Sequence, residues 1–222
     1  LTRDLKRISW WLIAPAPTQG IQLHNGTLVM PIEGRDETGD TFSTIMSSAD
    51  HGAHWTVGTP YPRGNECTIA ELGDGSIMLN GRNKNDDLST QYRRVAVTSD
   101  LGQTWHPHAT NLNTLVEPTC NASLFRFDYD EDGAKKHVLL FENPNRHEHG
   151  DRSNHTLQVS FDDGNTWPRE YYLPLDEGYA WGYPCLTRLD SGHVALLYAG
   201  SQADLQFQVL SLAEILHRPA SP

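Results

Sequence analysis

Two interleaved repeats constrain this chain more than any other feature. The first is a hairpin unit, in which an apolar strand, a turn ending in glycine and a second apolar strand follow one another. It occurs as Ile21-Gln-Leu-His-Asn-Gly-Thr-Leu-Val-Met30, as Ala70-Glu-Leu-Gly-Asp-Gly-Ser-Ile-Met-Leu79, as Leu124 to Leu140 around Asp132-Gly133, and as Leu186 to Leu197. The turn glycines stand at 26, 75, 133 and 192, at intervals of 49, 58 and 59 residues. That is the size of one four-stranded propeller blade with its loops. Asn-Gly and Asp-Gly turns predict type I′ hairpins. The second repeat, Ser/Thr-x-Asp-x-Gly-x-Thr/His-Trp, falls between copies of the first, at 48–55, 98–105 and 160–167. Its aspartate is placed to accept backbone N–H groups of its own turn, its glycine allows positive φ, and its tryptophan anchors the hairpin to the blade. We read these boxes as structural rather than as metal or ligand sites. Elsewhere period-two patterns dominate and helical periodicity is confined to the region from Ala213 to His217, so the chain reads as mostly β.

At 222 residues, the chain is long enough for one sizeable core or a share of a larger one. With 17 basic against 28 acidic side chains, its formal charge is −11. This argues against general attraction to nucleic acid or an anionic membrane. An anionic ligand would need a local cluster of arginines that overrides the overall field. No apolar stretch approaches the roughly 20 residues of a membrane span, and Leu1-Thr-Arg-Asp-Leu-Lys-Arg carries charges where a signal peptide would be apolar. Cys67, Cys120 and Cys185 cannot all pair with one another and match no zinc spacing, so buried free thiols are expected.

The box repeat resembles the Asp-box of sialidases, and the copy Ser160-Phe-Asp-Asp-Gly-Asn-Thr-Trp167 matches that family's form at every defined position. The resemblance implies an all-β fold, a six-bladed β-propeller of four-stranded antiparallel blades. Residues 1–222 would form part of a single such domain, covering roughly its last four blades. Sialidases depart from the usual two-carboxylate chemistry of glycosidases by using a tyrosine nucleophile. Sialic acid carries its carboxylate on the anomeric carbon, where an attacking carboxylate would meet like charge. A neutral phenol avoids that repulsion, but its reference pKa of about 10 calls for an adjacent base. Arginines then hold the substrate carboxylate in bidentate forks.

The required residue types occur in the family's order. Arg63-Gly-Asn-Glu66 through Gly81-Arg82 is similar to the segment in which a glutamate opens one strand and an arginine closes the next, making Glu66 the base and Arg82 a carboxylate-binding arginine. Arg152-Ser-Asn-His-Thr, leading into the third box, nominates Arg152 for the same task. Trp181-Gly-Tyr183-Pro-Cys-Leu186 resembles the Gly-Tyr-Ser-Cys-Leu segment of the nucleophile, with Pro184 in place of serine, and nominates Tyr183. Glu117-Pro-Thr-Cys120-Asn-Ala-Ser123 resembles a strand lining the centre, with Asn121 where glutamine is common. Each residue alone has a plainer reading. Glu66 fits a strand carboxylate paired with Arg63 or Arg82, Arg82 a solvated hairpin end, Arg152 a solvated loop residue with Arg146 as rival, and Tyr183 a core aromatic. Their joint order, in phase with boxes and hairpins, favours the site.

Two further elements of the family site, a first arginine and an aspartic acid/base, have no match here, since Arg3 and Arg7 sit in no such motif and Asp36 and Asp40 come too late. The expectation is therefore a longer protein whose N-terminal part supplies the remaining blades and is this chain's partner. The resemblance implies a retaining exo-sialidase acting on sialylated glycans (glycoproteins, glycolipids or oligosaccharides), without metal or organic cofactor, secreted or periplasmic by analogy. The alternative is a non-catalytic sialic-acid-binding propeller. Asp128-Tyr-Asp-Glu-Asp-Gly133 begins like a calcium loop, but the closing position is Leu139, so an acidic hairpin tip is expected. His147-Glu-His149 lacks a third ligand at a diagnostic spacing, and the sequons at Asn25, Asn121 and Asn154 are taken as chance.

Overall fold

In the computed structural model, which describes residues 2–84, 91–202 and 204–217, the period-two runs form four antiparallel sheets arranged as the blades of a β-propeller. Blade I orders the strands Trp10–Pro15, Leu28–Asp36, Thr41–Ser48 and Thr56–Val57, with the short Ile21–Gln22 and Tyr61–Pro62 added on its second and third strands. Blade II consists of Cys67–Glu71, Ile77–Gly81, Arg94–Thr98 and His106–Pro107. Blade III consists of Ser123–Glu131, Ala134–Pro144, His155–Ser160 and Leu173–Asp176. Blade IV has three described strands, Gly182–Arg188, His193–Ala199 and Leu205–Ser211, rather than the expected four. After the third strand the chain turns into the helix Leu212–Leu216, whose Leu212 and Ile215 fill the core between blades III and IV. This is the helical segment expected near Ala213.

Alternation along each strand explains the stacking. Leu139 and Phe141 join the cluster between blades II and III, whereas their neighbours Val138 and Leu140 join the one between III and IV. A middle blade is thus buried on both faces, and its second strand reads as a continuous apolar run. Fully buried side chains of this kind contribute about 1.5–3 kcal/mol each through area removed from water. Blade I meets blade II through Val29, Ile45, Ile69, Ile77 and Leu79. On the far face of blade IV, Leu197, Leu205, Phe207 and Val209 remain exposed.

The Asn-Gly and Asp-Gly hairpin turns divide into two kinds. Asp132 and Gly133 both have positive φ, 52° and 77°, and Glu131 pairs with Ala134, as in the expected type I′ turn. At Gly26 and Gly75 the glycine alone is left-handed. Leu23 accepts from Gly26 N at 2.8 Å and Leu72 from Gly75 N at 3.0 Å, which gives three-residue turns. Asn25 Oδ1 accepts from Thr27 N and Asp74 Oδ1 from Ser76 N, so the side chain keeps the residue before glycine right-handed.

The three boxes share one hydrogen-bond pattern at the rim where third strands end. In the third, Ser160 Oγ donates to Asp162 Oδ1 at 2.8 Å and accepts Gly164 N at 2.8 Å, while Thr166 N and Oγ1 donate to the two Asp162 oxygens. Ser48, Asp50 and His54 repeat it, as do Thr98, Asp100 and Thr104. Trp55 and Trp167 close on their own box glycines, but Trp105 Nε1 reaches Thr59 O at 2.9 Å, in the link between blades I and II.

Candidate active site

Antiparallel blades deliver the nominated residues to one rim. First and third strands begin there and second strands end there, opposite the boxes. Glu66 precedes the first strand of blade II, Arg82 follows its second strand, Arg152 precedes the third strand of blade III, and Tyr183 opens the first strand of blade IV. Arg82 N donates to Glu66 O at 2.8 Å, fastening the two ends of the blade II hairpin.

Three of the four side chains meet directly. Tyr183 Oη donates to Glu66 Oε1 at 2.7 Å, and Arg82 donates through one terminal nitrogen to Glu66 Oε2 at 2.7 Å. Arg82, not Arg63, is therefore the partner of Glu66. Arg152 stands further out, its guanidinium 5.8 Å from the Tyr183 ring centre and donating to Trp181 O at 2.9 Å. Its rival Arg146 is exposed and spends Nε on Ser153 Oγ. Glu66 is 9% exposed and Tyr183 40%, so the carboxylate is sheltered while the phenol faces the opening. Burial pushes the Tyr183 phenol above its usual range, and the hydrogen bond and charge of Glu66 act in the same direction, against Arg82. The resting phenol is neutral, and its proton already points at a base.

Tyr183 is held in an uncommon backbone state. Its φ is +58° and that of Gly182 +85°, and the register with the second strand slips between Gly182 and Cys185. Pro184 lacks the N–H that a regular ladder would use, so the two residues bulge and turn the phenol toward blade II. A left-handed non-glycine costs about 1–3 kcal/mol and persists where surrounding contacts over-determine it. At Gly182 only glycine fits, because a Cβ would stand 2.5 Å from Cys120 Sγ.

Two neighbours, Glu33 and Arg93, were not singled out from sequence. Glu33, on blade I, accepts from Asn65 Nδ2 at 2.8 Å, and burial followed by the Glu66 charge pushes its carboxyl up. Arg93 and Glu117 form a buried ion pair at 2.8 Å beneath the Arg82 turn. Burial raises the Glu117 carboxyl, while Arg93 and the Asn83 N–H pull it back. Asn121 is buried and donates to Pro17 O, which removes its sequon from the surface. The acidic segment 128–133 is a hairpin tip with Asp130 paired to Lys135. All three cysteines are free, Cys67 and Cys120 buried and Cys185 half-buried, and burial pushes the Cys67 thiol up to about 12. Among the described residues no group of three His, Cys, Asp or Glu is arranged to hold a metal, and no helix is long and apolar enough to cross a membrane. A cleft of ≈ 750 Å³ lined by Asp128, Arg188, His193 and His217 lies at the opposite rim, away from Glu66 and Tyr183.

Blades of this order, with a box after three of the third strands, define a box-bearing β-propeller. Residues 2–196 match the BNR repeat-like domain, and the chain belongs to that family. It is 38% identical over 218 residues to a sialidase of Bacteroides fragilis, covering 97% of this chain and 39% of the relative. A sialidase of Micromonospora viridifaciens is 35% identical over 190 residues, covering 82% of this chain and 28% of the relative. Among solved structures, a Hadza microbial sialidase superposes with a TM-score of 0.87 at 38% identity, over 95% of this chain and 40% of that one. The chain thus spans about two fifths of the length of the Bacteroides and Hadza relatives. A Trypanosoma rangeli sialidase in complex with 2,3-difluorosialic acid shares the fold at a TM-score of 0.71 and 22% identity, over 96% of this chain and 33% of that one.

Proposed function

We propose that this chain carries the nucleophile, its base and two substrate-binding arginines of a retaining exo-sialidase. The observation that carries the reading is the 2.7 Å bond from Tyr183 Oη to Glu66 Oε1, joining residues 117 positions apart. A protein that merely binds a sialic acid has no need of a phenol aimed at a sheltered carboxylate. In the first step Tyr183 Oη attacks the anomeric carbon, its proton passes to Glu66, and the glycosidic C–O bond breaks. An acid outside this chain protonates the departing oxygen. Water then displaces the tyrosine from the anomeric carbon, giving a proton to the outside acid, now a base, while Glu66 returns its proton to the phenolic oxygen and sialic acid leaves. Arg82 and Arg152 hold the substrate carboxylate, and Arg82 also fixes the second Glu66 oxygen. The sialidase names of the relatives, and the 2,3-difluorosialic acid bound in a solved complex of similar fold, support sialylated glycans as substrates. The partial coverage of the relatives supports a longer propeller in which residues 1–222 share one domain with N-terminal blades supplying the acid and a further arginine. The substrate class is the support for a secreted or periplasmic location.

The test is turnover of an aryl sialoside by the full-length parent and its Tyr183→Phe variant. Turnover by the parent, with a loss of about 10²-fold or more in the variant and undiminished binding of sialic acid, is the expected outcome. A folded parent that binds sialic acid and cleaves nothing would sink the proposal and leave a binding module.

A further inference from the structure

Beneath the four site residues runs a buried network to which none of the proposed chemistry assigns a task. Arg93 is fully buried and donates to Glu117 Oε2 at 2.8 Å, to Cys120 O at 2.7 Å, and to Asn80 Oδ1 and O at 2.7 and 3.2 Å. Glu117 Oε1 accepts the Asn83 N–H at 2.7 Å. The hairpin end that carries Arg82 is therefore gripped from both sides, at Asn80 by Arg93 and at Asn83 by Glu117. Cys120 forms the wall behind the nucleophile. Its Sγ lies 3.8 Å from Trp181 O as a donor and occupies the space that a Cβ on Gly182 would need. One ion pair thus reaches two elements of the site on different blades.

Stability does not explain its presence. Replacing a buried ion pair by apolar side chains of similar volume is often neutral or stabilising, whereas removing one partner is costly. What apolar side chains cannot do is aim an acceptor at the Asn83 N–H and a donor at the Cys120 carbonyl. Resting on the sialidase reading above, we propose that Arg93 and Glu117 are positioning residues, which set the Arg82 turn against Glu66 and the Cys120 wall against Gly182-Tyr183.

The experiment uses the full-length parent with two variants, assayed for kcat and KM on an aryl sialoside and by thermal melting. Glu117→Asp keeps the charge that balances Arg93 but is one methylene shorter, so it cannot span both Arg93 and the Asn83 N–H. It is expected to melt near the parent while kcat/KM falls about 10-fold or more, since a 1 Å misplacement costs up to about 10²-fold. The loss should show in kcat as well as in KM, because a displaced Tyr183–Glu66 contact slows the reacting step itself. The Arg93→Met, Glu117→Met double variant removes both charges and both anchors. It should fold with a similar Tm and show the same loss. Parent-like kcat/KM in either variant, or a loss confined to KM, overturns the proposal. So does failure of the double variant to fold, which would make the pair a requirement of the blades rather than of the site. If the parent binds sialic acid without turnover, the sialidase reading fails separately. The pair is then judged by the Kd of sialic acid in Glu117→Asp, where an unchanged value overturns it and a rise of about 10-fold supports it.

Discussion

Gly182→Ala tests how tightly the strand of Tyr183, the proposed nucleophile, is held. Two costs arise at this position. Alanine must adopt φ +85°, a left-handed conformation that costs a residue with a Cβ about 1–3 kcal/mol. Its methyl would also stand 2.5 Å from Cys120 Sγ, about 1 Å inside ordinary contact. Cys120 is buried and its carbonyl is held by Arg93, so the blade IV strand is the part that gives way. A retreat of about 1 Å takes the Tyr183 hydroxyl out of hydrogen-bond reach of Glu66, and displacements of that size cost up to about 10²-fold in rate. The assay is kcat/KM of the full-length protein on an aryl sialoside, with Tm measured alongside. The variant should lose roughly 10²-fold in kcat/KM. Adding Cys120→Ala removes the clash but not the φ cost, and should restore about tenfold of the loss by the same reasoning. Near-parental activity of Gly182→Ala, or no recovery in the double variant, would refute the argument that the sulfur sets the strand's position.

Two further outcomes follow from buried and box carboxylates. Asp100 is held down to about 2 by the Thr104 hydroxyl and N–H and by Thr98, against an unfolded value of about 3.9. A depressed carboxyl contributes stability that is present above about pH 4 and lost as pH falls toward 2. Tm should therefore drop across that window, and less steeply in Asp100→Asn; equal slopes would count against the box as the origin. Glu142 and His155, both fully buried, meet at 2.6 Å, and burial raises the Glu142 carboxyl. His155→Leu leaves that carboxyl alone and should cost about 3–5 kcal/mol at neutral pH. A raised carboxyl contributes stability that is present below about pH 4.3 and lost as pH rises, so the penalty should be smaller in melts at pH 5 than at pH 8. Equal penalties at both would contradict the reasoning.

The repeat architecture was legible because its signals are local. Box residues bond within their own turn, and a turn glycine announces the end of a strand whatever packs on it. The order Glu66, Arg82, Arg152, Tyr183 came from the resemblance to sialidase segments, and it agrees with phase because each residue stands at or beside a strand end on one rim. Local chemistry misled at Asn25-Gly26 and Asp74-Gly75, where side-chain acceptors select a three-residue turn over type I′. The sequence Tyr92-Arg93-Arg94-Val95 shows two adjacent arginines, both buried, and no sign of which one is enclosed completely and takes the ion pair. That choice is made by Glu117, 24 residues on and in the connection to another blade. Glu33 likewise looks like any strand carboxylate until blade II brings Asn65 and Glu66 beside it.

The span of 117 residues between Glu66 and Tyr183 has a consequence for how the molecule acquires its chemistry. Box tryptophans such as Trp55 and Trp167 bond three residues back, so they can settle as soon as their own hairpin forms. The phenol–carboxylate contact requires blade II, blade III and blade IV to be stacked in register, and long-range closures of this kind form slowly. During refolding, these indole contacts should therefore form before the Tyr183–Glu66 bond does. A partly assembled chain would hold well-formed blades and still lack the phenol–carboxylate pair, which exists only once the stack is complete.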